Sequence, residues 1–194
     1  MTDLNTRVRV IIVTDGDLTA QEAVETAAND LNLFVLKATG GNPTRLTGSQ
    51  VLNQILQAPY DPVIVMVDDK GQQGTGPGEK VIEYLLNYPY QVKILGIVAV
   101  ASDSRVRGVE VDFSIDAEGK VVKGPVKKDG TREKPKNRRL EGDTVEILKK
   151  YPELLVVGCG DLGKMQASDI AAYGAFVTSR CFQEILERSR TTFV

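Results

Sequence analysis

Apolar residues recur along this chain in two rhythms, and the alternation between them predicts the elements. Continuous apolar runs of strand length occupy 7–14 (RVRVIIVT), 33–38 (LFVLKA), 62–67 (PVIVMV), 92–101 (VKILGIVAVA) and 153–158 (ELLVVG). Helix-length amphipathic segments fall at 20–31, roughly 48–58, 77–87, 144–151, 166–174 and 178–189. Thr19 with Glu22, and Asp143 with Glu146, have the spacing of a capping box. Pro77 suits a first helical turn, and Thr178 suits the start of the last helix. Strands that are apolar without alternation, separated by helices, predict a parallel sheet covered on both faces, with 92–101 near its centre. Residues 109–115 alternate apolar and polar, so they predict an antiparallel strand with one wet face, turning through DAEGK into VVKGPV as a hairpin. Residues 124–142 have no apolar period. The expectation is an α/β fold: a three-layer, Rossmann-like, mostly parallel sheet. It forms one domain over 1–194, with a β-hairpin and loop insertion at about 104–142.

Length and composition narrow the chemistry. The chain has 194 residues, 42% hydrophobic and 26% charged, with a net charge of −2, an ordinary balance for a globular protein. It contains no histidine, which excludes Ser-His-Asp and Cys-His catalysis and His-ligated metals from its own residues. Its two cysteines, Cys159 and Cys181, are too few for a disulfide framework and fit a reducing compartment. The N-terminal apolar run is too short for a secretory leader, and no stretch approaches the ~20 apolar residues of a membrane span. The expectation is a soluble chain without a leader, with only peripheral membrane contact.

In parallel α/β sheets ligands bind beyond the carboxyl ends of the strands. Asp15, Gly16 and Asp17 follow the first strand, Asn42 and Thr44 the second, and Asp68 and Asp69 the third; Ser102 follows the fourth, and Gly158–Lys164 the fifth. Asp15, Asp17, Asp68 and Asp69 are candidate ligands for a divalent cation, Mg²⁺ or Ca²⁺, since hard cations take carboxylate oxygens. Asp15-Gly16-Asp17 has the DxD spacing of Toprim-type nucleases, without a Glu at a matching strand end. Asp15, Asp17, Asp68 or Asp69, Ser102 and Lys164 follow the order used by response-regulator receivers. The alternative use for all these short polar residues is helix capping.

VVGCGDLGKM (156–165) fits both GxGxxG and GxxxxGK. Met165 stands where a P-loop needs Ser or Thr, and too little chain follows for a nucleotide fold, so an anion or carboxylate site at Gly160, Asp161, Gly163 and Lys164 is the better reading. Asn42, Thr44, Gly76, Gly78 and Ser102 complete the candidate set for a small anionic ligand. Cys159 reads as an apolar filler.

Between Lys120 and Arg139 nine basic residues face only Asp129 and Glu133, a net +7 in a chain whose total is −2. The segment reads as a solvated, detachable arm. Lys127, Lys128, Arg132, Lys134, Lys136, Arg138 and Arg139 are the candidate contacts to an anionic membrane surface or a partner protein. It carries no aromatic to stack on bases, so no nucleic-acid partner is expected.

Seven blocks in order, VIIVTDGD (10–17), GNPTRLTG (41–48), LQAPYDPVIVMVDDKGQQGTGPGE (56–79), ILGIVAVAS (94–102), VDFSIDAEG (111–119), GDTVEIL (142–148) and VVGCGDLGKM (156–165), resemble the soluble AE1-type subunit of the stage V sporulation A proteins of endospore-forming bacteria. The resemblance implies a place in the spore, at the inner membrane. Its partners would be the other stage V sporulation A proteins, which take up calcium dipicolinate and release it on germination. It implies no catalytic residues. The resulting expectation is an accessory, non-enzymatic subunit; the alternative is a Mg²⁺-dependent phosphoryl-transfer enzyme or phosphate-responsive switch.

Overall fold

The computed structural model describes residues 7–72, 74–103, 108–134, 137–142 and 144–191. Lys136 and Asp143, named above as a surface cation and a helix cap, lie outside them. The nine strands are β1 (Val8–Val13), β2 (Phe34–Val35), β3 (Val63–Met66), β4 (Val92–Val100), β5 (Val109–Glu110), β6 (Phe113–Ile115), β7 (Val121–Val122), β8 (Arg139–Leu140) and β9 (Val156–Cys159). The helices are α1 (Leu18–Asp30), α2 (Gly48–Leu56), α3 (Pro77–Leu86) and α4 (Phe176–Thr191).

Seven strands form one sheet in the order β2-β3-β1-β4-β9-β6-β7, parallel except for β7, and β4 is its central strand. Successive side chains of a strand point to opposite faces, and both faces here are apolar. Ile11 and Val13 of β1 join Ala20, Val24 and Ala27 of α1 and Cys181, Phe182 and Ile185 of α4 in one cluster. Val10 and Ile12 join Val51 and Ile55 of α2 and Val81, Ile82 and Leu85 of α3 in the other. The three layers are therefore α1 and α4, the sheet, and α2 and α3, the expected Rossmann-like α/β architecture.

Several local expectations are corrected. Asp17, not Thr19, caps α1: it holds extended backbone and its Oδ1 accepts the Ala20 amide at 2.9 Å. A carboxylate two positions earlier has taken the amide, so the helix starts before Thr19 can cap it. The 109–115 run splits. Its first part, β5, pairs antiparallel with β8 in a separate two-stranded sheet. Its second part, β6, runs parallel to β9 and is buried throughout, so it has no wet face. Residues 144–151 form only a 3-10 turn, Glu146–Lys150. The helix expected at 166–174 is absent: Met165, Gln166, Ala167 and Gly174 all have positive φ, which an α-helix does not tolerate. Two 3-10 turns, Met165–Ala167 and Ala171–Tyr173, replace it.

The basic segment is not a detachable arm. Val122, Val126 and Leu140 are buried, and β6 with β7 extends the main sheet. Ser114 Oγ donates to the Gly124 carbonyl at 2.7 Å, and the Asp161 amide donates to the Lys128 carbonyl at 2.8 Å. A Cβ on Gly158 would stand 2.4 Å from Ser114 Oγ and 2.8 Å from Leu140 Cδ1, so this strand must be bare for the segment to close over it. Three apolar side chains spaced among many charges anchor the backbone while the cations stay outside.

Candidate functional site

The chain leaves β1 toward β2 and β3 on one side and returns to β4 on the other, so the carboxyl ends of β1 and β4 are the topological switch point. A crevice of about 180 Å³ opens there. Its lining draws on four strand ends: Asp15 and Asp17 after β1, Asp68 after β3, Ser102 after β4, and Asp161 and Lys164 after β9. Asn42 and Lys128 close its sides.

Three carboxylates converge in it. Asp15, Asp17 and Asp161 each present an oxygen within 4.8 Å of the others. Asp161 stands among the anion-site candidates of the glycine loop, yet its side chain joins the acids. Lys164 lies between two of them, with Nζ 2.7 Å from Asp17 Oδ2 and 3.2 Å from Asp161 Oδ1. Lys128 Nζ is 3.9 Å from Asp161 and 3.2 Å from Asp103.

The electrostatics follow from burial and neighbours. Asp15 is 8% exposed; burial first, then the adjacent Asp17 charge, push its carboxyl up to about 7. Asp17 also feels burial, but the hydrogen bond from Lys164 and the Ala20 amide outweigh it and hold its carboxyl below the usual range. Burial pulls the Lys164 ammonium down, and the Asp17 and Asp161 carboxylates more than reverse this. The crevice thus pairs one proton-hungry acid with an acid-lysine-acid bridge.

The other candidates serve loop geometry. Asp68 lines the crevice, and its carboxylate also accepts the Gly16 amide at 3.2 Å and the Lys70 amide at 2.6 Å. Asp69 faces away: its Oδ1 accepts the Gly78 amide at 2.6 Å and so caps α3. Gly76 and Gly78 pack against Asp69 and Asp68, outside the crevice lining. Thr44 Oγ1 accepts the Asp68 amide at 2.7 Å. Gly160 packs on Gly130 and Lys128, and the Gly163 amide donates to Asp169 Oδ2 at 2.9 Å. The glycine loop therefore spends that amide on the protein itself, and its lysine on carboxylates.

Asp169 has no sequence signature. It is fully buried, and it also accepts the Thr178 amide at Oδ1 and the Thr178 hydroxyl at Oδ2, at 2.9 and 2.7 Å. It therefore supplies the first turn of α4 with the cap expected from Thr178 and fixes the loop that carries Lys164. Cys159 is buried beside Cys181, and burial pushes its thiol up, as befits an apolar filler.

The basic residues divide in two. Lys120 pairs with Glu118, Lys128 with Asp103 and Asp161, and Arg132 with Asp116. Lys123, Lys127, Lys134, Arg138 and Arg139 are exposed and form no ion pair among the described residues. They border two adjoining clefts that share Glu133 and Asn137, and one of these clefts meets the acidic crevice at Ala101, Ser102 and Lys128.

No helix among the described residues is long and apolar enough to cross a membrane. No curated protein and no solved structure matches the chain. The model of one family, Stage V sporulation protein AE1, matches residues 9–189, nearly the whole sequence and all seven of the ordered blocks. The chain belongs to the Stage V sporulation protein AE1 family, and its role lies in sporulation.

Proposed function

We propose that the chain is an accessory, non-enzymatic subunit of the machinery that moves calcium dipicolinate into the spore and releases it on germination. It docks peripherally on the spore inner membrane beside the membrane-embedded stage V sporulation A proteins. The observation that carries the docking is the exposed surface formed by Lys123, Lys127, Lys134, Arg138 and Arg139, none of which forms an ion pair among the described residues. Cations held on a buried-anchored backbone present a fixed charge pattern, and each Lys or Arg near an anionic leaflet contributes ~1 kcal/mol. A bare dianion finds Lys164 already engaged by Asp17 and Asp161, whereas a calcium salt meets acids on one side of Ser102 and, on the other, a cleft that mixes Lys127, Lys128 and Arg139 with Asp103, Asp129, Glu133 and Glu141. The test joins vesicle flotation with spore chemistry. The protein should float with phosphatidylglycerol vesicles and not with phosphatidylcholine, and should lose this when the five cations become Gln. Spores lacking the chain should differ from wild type in dipicolinate content or release rate. No flotation on the anionic vesicles removes the docking, and unchanged dipicolinate behaviour removes the role.

A second reading rests on the convergence of Asp15, Asp68, Ser102 and Lys164 in one crevice. This is the strand-end order of a phosphate-responsive switch, with Asp68 as acceptor. Acetyl phosphate should then give an acid-stable mass increase that Asp68→Asn abolishes; an unmodified wild type ends this reading.

A further inference from the structure

We propose that segment 164–168 is a strained latch tying the acidic crevice to the basic turn at 127–131, so that loss of Lys164 from its carboxylates loosens both together. Its use, regulation of docking, rests on the docking reading; the latch itself does not. Met165, Gln166 and Ala167 have φ of 42°, 56° and 74°, three consecutive left-handed residues of which none is glycine. The Ala167 amide donates to the Lys164 carbonyl at 2.9 Å and the Ser168 amide to the Met165 carbonyl at 3.1 Å, closing a left-handed turn. In this region a Cβ crowds the following carbonyl oxygen, and residues other than glycine enter it singly. A run of three persists only where its surroundings impose it.

One hold is Lys164, whose ammonium reaches Asp17 Oδ2 at 2.7 Å and Asp161 Oδ1 at 3.2 Å. The other is Met165, buried in the cluster between the sheet and α4. Its sulfur lies 2.8 Å from where Gly160 would carry a Cβ and 3.0 Å from where Gly130 would, so the thioether is seated on two bare glycines. Gly130 is the buried corner of the basic turn: its amide donates to the Lys127 carbonyl at 2.9 Å, and its carbonyl accepts the Ala117 amide at 3.0 Å. The Asp161 amide donates to the Lys128 carbonyl of the same turn at 2.8 Å. The backbone that carries Lys127 and Lys128 therefore rests on the latch. Strain favours an opened turn, while the ion pairs and the seated sulfur favour the closed one, and an element so balanced has two arrangements. The input is competition for the Lys164 ammonium in the crevice; the output is the order of two cations that line the adjoining cleft.

Amide hydrogen exchange of the purified full chain, read residue by residue by NMR, tests this. In Lys164→Met the Ala167 and Ser168 amides should exchange about fivefold faster than in wild type, and the Gly130 and Asp161 amides should accelerate with them, while those of β1, β4 and β6 keep their rates. Ala167→Gly removes a strained Cβ, so it should raise the thermal unfolding midpoint and slow the same amides; added to Lys164→Met it should restore part of the lost protection. Acceleration confined to Ala167 and Ser168 overturns the coupling, unchanged exchange throughout overturns the latch, and a lower midpoint in Ala167→Gly overturns the strain. Flotation separates this inference from the docking reading. Lys164→Met should bind phosphatidylglycerol vesicles more weakly than wild type, and equal binding overturns the regulatory use. A wild type that does not float overturns the docking reading alone.

Discussion

Lys164 Nζ lies 2.7 Å from Asp17 Oδ2, although 147 residues separate them in the chain. The contact joins the loop after β9 to the N-cap of α1 across β4. Asp17 thereby does two jobs, since its other oxygen holds the Ala20 amide at 2.9 Å. Replacing Lys164 with Met should cost no more than about 1 kcal/mol in urea unfolding, because the pair is partly exposed and screened. The clearer change is in pH dependence. Asp17 has a lowered carboxyl in the folded protein, so it contributes stability that is present above the ordinary Asp range and lost as pH falls through the folded value. The variant should lose stability less steeply on acidification. Carboxyl ¹³C shifts of Asp17 should report a higher titration midpoint.

Asp15 has the opposite sign. Its carboxyl stands near 7 when folded against 3.8 for an ordinary Asp, so between these the folded state holds a proton the unfolded chain has released. This group favours folding below its unfolded value, and its contribution falls as pH rises from about 4 to about 7. Without divalent cations, Asp15→Asn should remove that decline and be more stable than wild type at pH 8, by on the order of a few kcal/mol. Urea midpoints of the two proteins from pH 5 to 9 check this; parallel curves would refute it.

Asp169 is the buried hinge of the site loop. Asp169→Ala strips acceptors from the Gly163 amide, the Thr178 amide and the Thr178 hydroxyl at once. Leaving such donors unsatisfied in a fully buried position should cost about 3–5 kcal/mol. Asp169→Asn, which keeps part of the set, should cost less. Equilibrium unfolding gives both values.

The basic segment should behave as part of the fold. Leu140→Ala empties a fully buried position and should destabilise the whole protein by about 2–5 kcal/mol in one transition. Gly158→Ala places a methyl against Ser114 and Leu140 and should also destabilise it. Neutralising exposed Lys127 and Arg138 should leave stability within about 0.5 kcal/mol. An early, separate transition for residues 109–142 in hydrogen exchange would contradict this.

The two cysteines extend the same logic to chemistry. Cys159 and Cys181 are buried with no measurable exposure, and burial raises the Cys159 thiol. Iodoacetamide should label neither in the native protein and both in urea, read by mass spectrometry.

By itself the sequence determined the layers, because burial on both faces writes itself into continuous apolar strands such as 62–67 and 92–101, and because amphipathic helices show their period locally. It also determined the family, through seven ordered blocks that only the whole chain displays. The edges of the helices were less legible: Asp17 and Thr19 both have capping chemistry, and which one holds the first amide depends on the loop entering it. Which acids meet was decided by the tertiary structure alone. Asp68 and Asp69 are neighbours in sequence, yet one lines the crevice and the other caps α3, while Asp161 arrives from β9 to stand with Asp15 and Asp17. Strand order sets these distances, and strand order is fixed by the packing of both sheet faces at once. The same packing gave the basic segment its place, since Val122, Val126 and Leu140, which show no period, become anchors only when a surface is present to receive them.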